Sequence, residues 1–297
     1  MYSKGKEKTW SFFVLLCGLL MIALPIAIGI FLAIKGNALF YQYHHSLGEF
    51  LFTTTWKLKD DLVGGGKGGA AVFIVGSLIV CGLALLIAVP FSLAAAIFMT
   101  EIAPKWGTKV LRPAVEIFVG IPSVVYGWIG MTVLVPFLQN LFHLKTGRSV
   151  LAGGIVLAVM IFPSITTVAA DAIRAVPVQA RMAAYGLGAT RWQVTHQIVM
   201  PAAQTSVLTG VILGLARAFG EALAVAMVIG KTPAFPKSIF GQTATMTTVI
   251  ASRMAELMEG SEAKAGLWTI AFVLYLISLF FILLIHIIAA KGAKKNK

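Results

Sequence analysis

The chain has 297 residues, 59% of them hydrophobic and only 12% charged, with a mean hydropathy of +0.91. A soluble domain is about half apolar and a quarter charged, so this composition excludes a soluble enzyme and indicates a polytopic membrane protein. The net charge of +13 would suggest nucleic acid in a soluble protein, but here the basic residues lie mainly between apolar runs, where topology and anionic lipid account for them; no nucleic acid is expected.

Crossing a hydrocarbon core of about 30 Å takes about 20 mostly apolar residues per helix. Runs of that kind occur at 10–34, 70–99, 113–139, 150–170, 206–230 and 267–290, which predicts an all-α membrane protein with six transmembrane helices. The first run follows Lys4, Lys6 and Lys8 and is longer than a signal-peptide core, so it reads as a retained anchor. With the N-terminus inside, thirteen basic residues fall on cytoplasmic segments and ten on the longer external loops. Both ends and the short 100–112 loop carry that bias, so both termini are expected in the cytoplasm. The chain then divides into an N-terminal tail, anchor and external loop (1–69), a core (70–290) with a long inside loop at 171–205, and a basic tail (291–297).

Several candidate sites read as ordinary structure. Cys17 and Cys81 lie in different apolar runs, where buried small hydrophobes are expected; neither a disulfide framework nor a metal cluster follows. His44-His45, on the external loop, has no partners at ligand spacing and reads as a solvated pair. Gly64-Gly-Gly-Lys67-Gly68 and Gly230-Lys231-Thr232 resemble fragments of a phosphate-binding loop, but the first lacks Ser or Thr after Lys and the second has Val225 where Gly is required. No catalytic residues, cofactor or metal are expected, since the spans hold no Ser-Lys or paired-Asp set.

The third run carries Glu116, four residues after Arg112 and so a snorkelling ion pair, and then Gly120-Ile-Pro122-Ser-Val-Val-Tyr126-Gly127. That interruption is either a proline kink or a break lining a cavity. Pro163 in the fourth run reads as a kink. The fifth run contains Gly210, Gly214, Arg217 and Glu221, which a continuous helix at about 100° per residue would put on one narrow face. Small residues there invite a neighbouring helix, so the charges are expected to face protein or a watery cavity. Two readings stay open: an Arg217–Glu221 pair that only fixes packing, or a guanidinium that forms part of an oxyanion path with Glu221 positioning it.

The inside loop suggests two short helices at an angle. Val178–Tyr185 forms the first, stopped by Gly186 and Gly188. Thr190 with Gln193 makes a capping box for the second, which Pro201 is expected to end. Trp192 and Ile198 on an exposed loop imply docking into a groove of another protein, with a helix lying on the membrane surface as the other reading.

With these residues in view, the sequence resembles the membrane permeases of binding-protein-dependent ABC importers. Their inside-loop signature is Glu-Ala-Ala, three residues, Gly, nine residues, Ile, one residue, Leu-Pro; Ala183, Ala184, Gly188, Ile198 and Pro201 match, while Met182 replaces the Glu and Met200 the Leu. Across 70–290, the segments 121–127, 171–177, 188–192 and 217–221 are most similar to the C-type permease subunits of phosphate importers of the Pst type. The resemblance implies a type I (MetI-like) importer fold in a bacterial inner membrane and Arg217 and Glu221 in the phosphate path. It also implies an ATPase-coupling surface of Met182, Ala183, Ala184, Gly188, Ala189, Thr190, Arg191, Trp192, Ile198 and Pro201. The partners it implies are a second, A-type permease, a homodimeric cytosolic ATPase that hydrolyses the ATP, and an extracytoplasmic phosphate-binding protein. A molybdate or sulfate permease, and an ATP-independent anion channel or transporter, are the alternatives.

Overall fold

A computed structural model describes residues 4–295, with side chains placed for 11–290. The Lys residues at 4–8 and 291–297 that weigh in the predicted orientation lie outside the residues whose side chains are described. Among the described residues six helices are long and apolar enough to cross a membrane. The described chain begins with α1 (Lys4–Tyr41), then a small layer of α2 (Leu47–Phe52) and the antiparallel pair β1 (Trp56–Lys57) and β2 (Lys67–Gly68). The second span is α3 (Ala71–Ile97), extended by a π-helical turn at Phe98–Ile102. After α4 (Pro104–Trp106) and a second π turn, the third span is divided into α5 (Arg112–Gly120), α6 (Ser123–Ile129), a third π turn and α7 (Val135–Leu141).

The fourth span is α8 (Val150–Arg174). The predicted 171–205 loop forms α9 (Val178–Gly186) and α10 (Arg191–Gln193), which passes through a π turn at Val194–Val199 into α11 (Met200–Gly220). Two short helices, α12 (Leu223–Val228) and α13 (Met246–Arg253), precede the last span, α14 (Glu262–Lys295).

The core is α3, α8 and α11, whose inner faces meet through Val80, Cys81, Ala84, Leu157, Ile161, Ile165 and Phe219. Small residues set the spacing: a Cβ on Gly154 would sit 2.7 Å from Leu83 and one on Gly214 2.6 Å from Ile165. Without a hydrophobic drive between helices in lipid, such close approach is what holds them. The peripheral α1 packs on α14, where Thr269 Oγ1 donates to Gly36 O at 2.8 Å.

Among the described residues a proline follows every π turn, although Pro25, Pro90 and Pro163 lie within regular α-helix without one. Each of the four is followed, within two residues, by a helix with Pro at its first or second position: Pro104, Pro113, Pro136 and Pro201. Proline lacks an N–H and its ring crowds the carbonyl four residues back, and a local widening of the helix absorbs both faults. Pro201 therefore does not end the second inside helix, as the sequence suggested; the helix continues from Arg191 through the π turn to Gly220.

The 42–69 segment, within the predicted 35–69 loop, folds over the start of α14, and Glu262 organises it. This fully buried carboxylate accepts from the backbone N–H groups of Lys59 (2.9 Å), Gly65 (3.1 Å) and Gly66 (3.0 Å), and lies 2.7 Å from His45 Nε2. His45 is thus not solvated, as expected, but buried against a carboxylate; its side chain is 6% exposed. The Gly64–Gly66 run does cradle an anion, as its likeness to a phosphate loop hinted, but the anion is the chain's own Glu262. Gly64 and Gly65, at φ of 77° and 88°, supply the left-handed backbone such a nest needs. Tyr43 Oη donates to Gly260 O at 2.6 Å, and burial together with the charges of Glu262 and Asp61 pushes its pKa up, keeping it a donor.

Candidate substrate pathway and coupling surface

On α11, Gly210 and Gly214 pack against Val168 and Ile165 of α8, as small residues on that face should. Arg217 follows on the same side and donates from Nη1 to Ser164 Oγ at 2.6 Å. The helix ends at Gly220, and Glu221 is extended, at φ −77° and ψ 121°. The 100° register therefore fails before Glu221, which leaves the shared face. Its Oε1 accepts from Ala224 N–H at 3.0 Å, closing the start of α12, and its carbonyl accepts from Thr247 Oγ1 at 2.8 Å. Among the described residues no carboxylate lies within salt-bridge distance of Arg217. The packing-pair reading is corrected accordingly: Arg217 and Glu221 flank a break and do not neutralise each other.

The third span is fully interrupted, not merely kinked. Ile121 and Pro122 are extended, at ψ 127° and 140°, and Tyr126 Oη reaches back across the gap to donate to Phe118 O at 2.7 Å. A freed carbonyl at membrane depth needs such a partner. The second halves of the two broken spans then pack together: a Cβ on Gly127 would lie 2.7 Å from Ala224 Cα. Two helix breaks, an arginine without a carboxylate and a serine hydroxyl thus converge from α6, α8 and α11. Such discontinuous helices are where transporters place ion and substrate sites. Nearer the Arg112 end, Arg112 Nε and Glu116 Oε1 pair at 2.9 Å, as expected from their spacing.

The inside loop follows its sequence signals closely. Gly188 N–H bonds Tyr185 O (3.0 Å) and Ala189 N–H bonds Ala184 O (3.1 Å), with Gly188 at φ 83°: a Schellman end that favours glycine. Thr190 and Gln193 form the reciprocal capping box. Met182, Leu187 and Trp192 project outward, Leu187 being 91% exposed, while Trp192 stacks on His196 with ring centroids 5.8 Å apart. Ala183, Gly188, Thr190, Arg191 and Pro201 are exposed, whereas Ala184, Ala189 and Ile198 are half-buried. Ile198 is therefore less available for docking than Trp192, because the π turn carries it toward the helix bundle. The sequence reading missed Arg181, whose guanidinium pairs with Glu101 at the end of the second span and donates to Ile173 O at 2.6 Å. Glu101 stands 80 residues away along the chain, too distant for spacing to reveal.

Comparison with known proteins fits this architecture. The chain is 49% identical over 275 residues to the probable ABC transporter permease protein YqgH of Bacillus subtilis, covering 93% of this chain and 88% of that one. It is 34% identical to the phosphate transport system permease protein PstC of Haemophilus influenzae, covering 82% and 81%. Its fold is similar to a chain in the crystal structure of a bacterial alginate ABC transporter in complex with alginate pentasaccharide-bound periplasmic protein, with a TM-score of 0.63 at 15% identity, covering 95% and 94%. The model of the binding-protein-dependent transport system inner membrane component matches residues 88–293, more than half of the chain. With six spans, two of them broken beside an arginine, and an exposed inside loop, the chain belongs to the family of inner membrane components of binding-protein-dependent transport systems.

Proposed function

We propose that this chain is the C-type permease subunit of an ATP-driven phosphate importer in a bacterial inner membrane. It forms half of the translocation path with an A-type permease, while two copies of a cytosolic ATPase hydrolyse the ATP and an extracytoplasmic protein delivers phosphate. The observation that carries this reading is Arg217: a guanidinium at membrane depth, held by one serine and faced by no carboxylate, at the junction of two helix breaks. A planar guanidinium matches an oxyanion in shape and charge, and it lowers the cost of bringing a doubly charged ion to that depth. The similarity to phosphate permeases over most of the chain supports phosphate as that ion.

Glu221 takes part by fixing the break, not by pairing with Arg217. The exposed face of Met182, Leu187 and Trp192, with Thr190 and Arg191 beside it, supports docking of the ATPase in a helix-in-groove manner, and on this reading the 171–205 loop and both termini are cytoplasmic. Vesicles holding this chain with its neighbouring permease, ATPase and binding protein should take up labelled phosphate only when ATP and every component are present. Excess molybdate and sulfate should not compete. Competition by either ion would reassign the substrate, and anion flux through this chain alone without ATP would refute the importer.

A further inference from the structure

We propose that the Glu101–Arg181 pair is a strut that makes the inside helix α9 and the cytoplasmic end of α3 move as one body, so that displacement of α9 by the ATPase is carried into the membrane. The proposal rests on the ATPase-docking reading of the inside loop. The two side chains are only 10% and 18% exposed, and the residues stand 80 apart in sequence. A buried ion pair is costly unless further hydrogen bonds hold its geometry, and removing one partner strands the other charge. Here the same guanidinium spends Nη1 on Glu101 and Nη2 on Ile173 O at 2.6 Å, in the last turn of α8. One rigid fork therefore pins α9, the π-helical end of the second span and the end of α8, fixing orientation as well as distance.

The packing beneath the fork supports the same grouping. Ala96 and Met99 from the second span, Ala169 and Ile173 from α8, and Val194 and Val199 from the coupling segment form one buried cluster. The inside loop is thus fixed on its inner side by this cluster and the ion pair, while Met182, Leu187 and Trp192 on its outer side are free to engage a partner. Nearby charge pairs do not compete for the role. Arg112–Glu116 lies within α5 and Arg174–Asp171 within α8, so neither ties α9 to another element, and their carboxylates are more than half exposed, where pairs are screened and weakly held.

The test uses the whole complex in vesicles and reads phosphate imported per ATP hydrolysed. Glu101→Gln and Arg181→Gln should each lower that ratio at least fivefold while the ATPase still co-purifies, and the double variant should be no worse than the worse single. Arg181→Lys, which keeps the charge but loses the fork, should fall between wild type and Arg181→Gln. A single variant with the wild-type ratio, or a double whose loss is the product of the two single losses, would overturn the strut. If the Gln variants do not assemble, Arg181→Lys, which keeps the charge pair, answers the question: its ratio should fall at least twofold while the ATPase co-purifies, and a wild-type ratio would overturn the strut. A wild-type complex that couples ATP to a different oxyanion would displace only the phosphate assignment, and the same cycle would then be read with that ion.

Discussion

Arg217 uses one of its five N–H donors on Ser164 Oγ, which leaves most of the guanidinium free to meet an anion. Ser164 orients the head group without neutralising it, so Ser164→Ala should weaken phosphate uptake by about 3- to 10-fold, the loss of about 1 kcal/mol of positioning, while leaving ATPase association unchanged. Unaltered uptake would mean that Arg217 is held by something other than Ser164. Glu262 is the opposite case, a carboxylate whose oxygens are satisfied entirely by its own chain. Glu262→Ala leaves the donors of Lys59, Gly65, Gly66 and His45 facing each other without an acceptor, and should destabilise the layer it fixes by about 3 kcal/mol or more. Faster proteolysis within 43–69 of the purified variant, with the membrane core intact, is the expected readout; a wild-type cleavage pattern would contradict it.

Among the elements, the inside loop shows how local chemistry sets geometry. Gly188 has nothing within 4 Å of a built Cβ, so the whole penalty for a side chain there comes from its φ of 83°. Gly188→Val should therefore bend the α9–α10 turn and uncouple the ATPase, whereas Gly188→Asn, a residue that tolerates left-handed backbone, should retain most of the uptake. Equal uptake by both variants would show that the turn is not under conformational control. This turn was legible from sequence because every signal that makes it, Gly188, Thr190 and Gln193, lies within a few residues. The end of α11 was not. No proline or glycine follows Gly220 to announce it, and what holds Glu221 extended is a hydrogen bond from Thr247, on another element. The Pro-Ser break in the third span was visible as an interruption, but whether it was a kink or a gap depended on Tyr126 bonding Phe118 across it.

For the molecule as a whole, hydropathy alone located the six spans, because about 20 apolar residues in a row have few other uses. It could not arrange them. The order of burial, with α8 central and α1 outermost, follows from glycines that admit neighbours and from contacts such as Gly154 on Leu83 and Gly214 on Ile165. Long-range polar links were equally hidden: His45 with Glu262 and Arg181 with Glu101 join segments 217 and 80 residues apart. In this arrangement the core of α3, α8 and α11 connects the layer fixed by Glu262 to the 171–205 loop fixed by Arg181. Passage of phosphate beside Arg217 is tested most directly by measuring ATP-dependent phosphate uptake in vesicles by the Arg217→Ala complex, alongside the ATPase activity that the binding protein stimulates. Uptake should fall by two orders of magnitude or more while the complex assembles and still hydrolyses ATP; wild-type uptake by a fully assembled Arg217→Ala complex would contradict a path through Arg217.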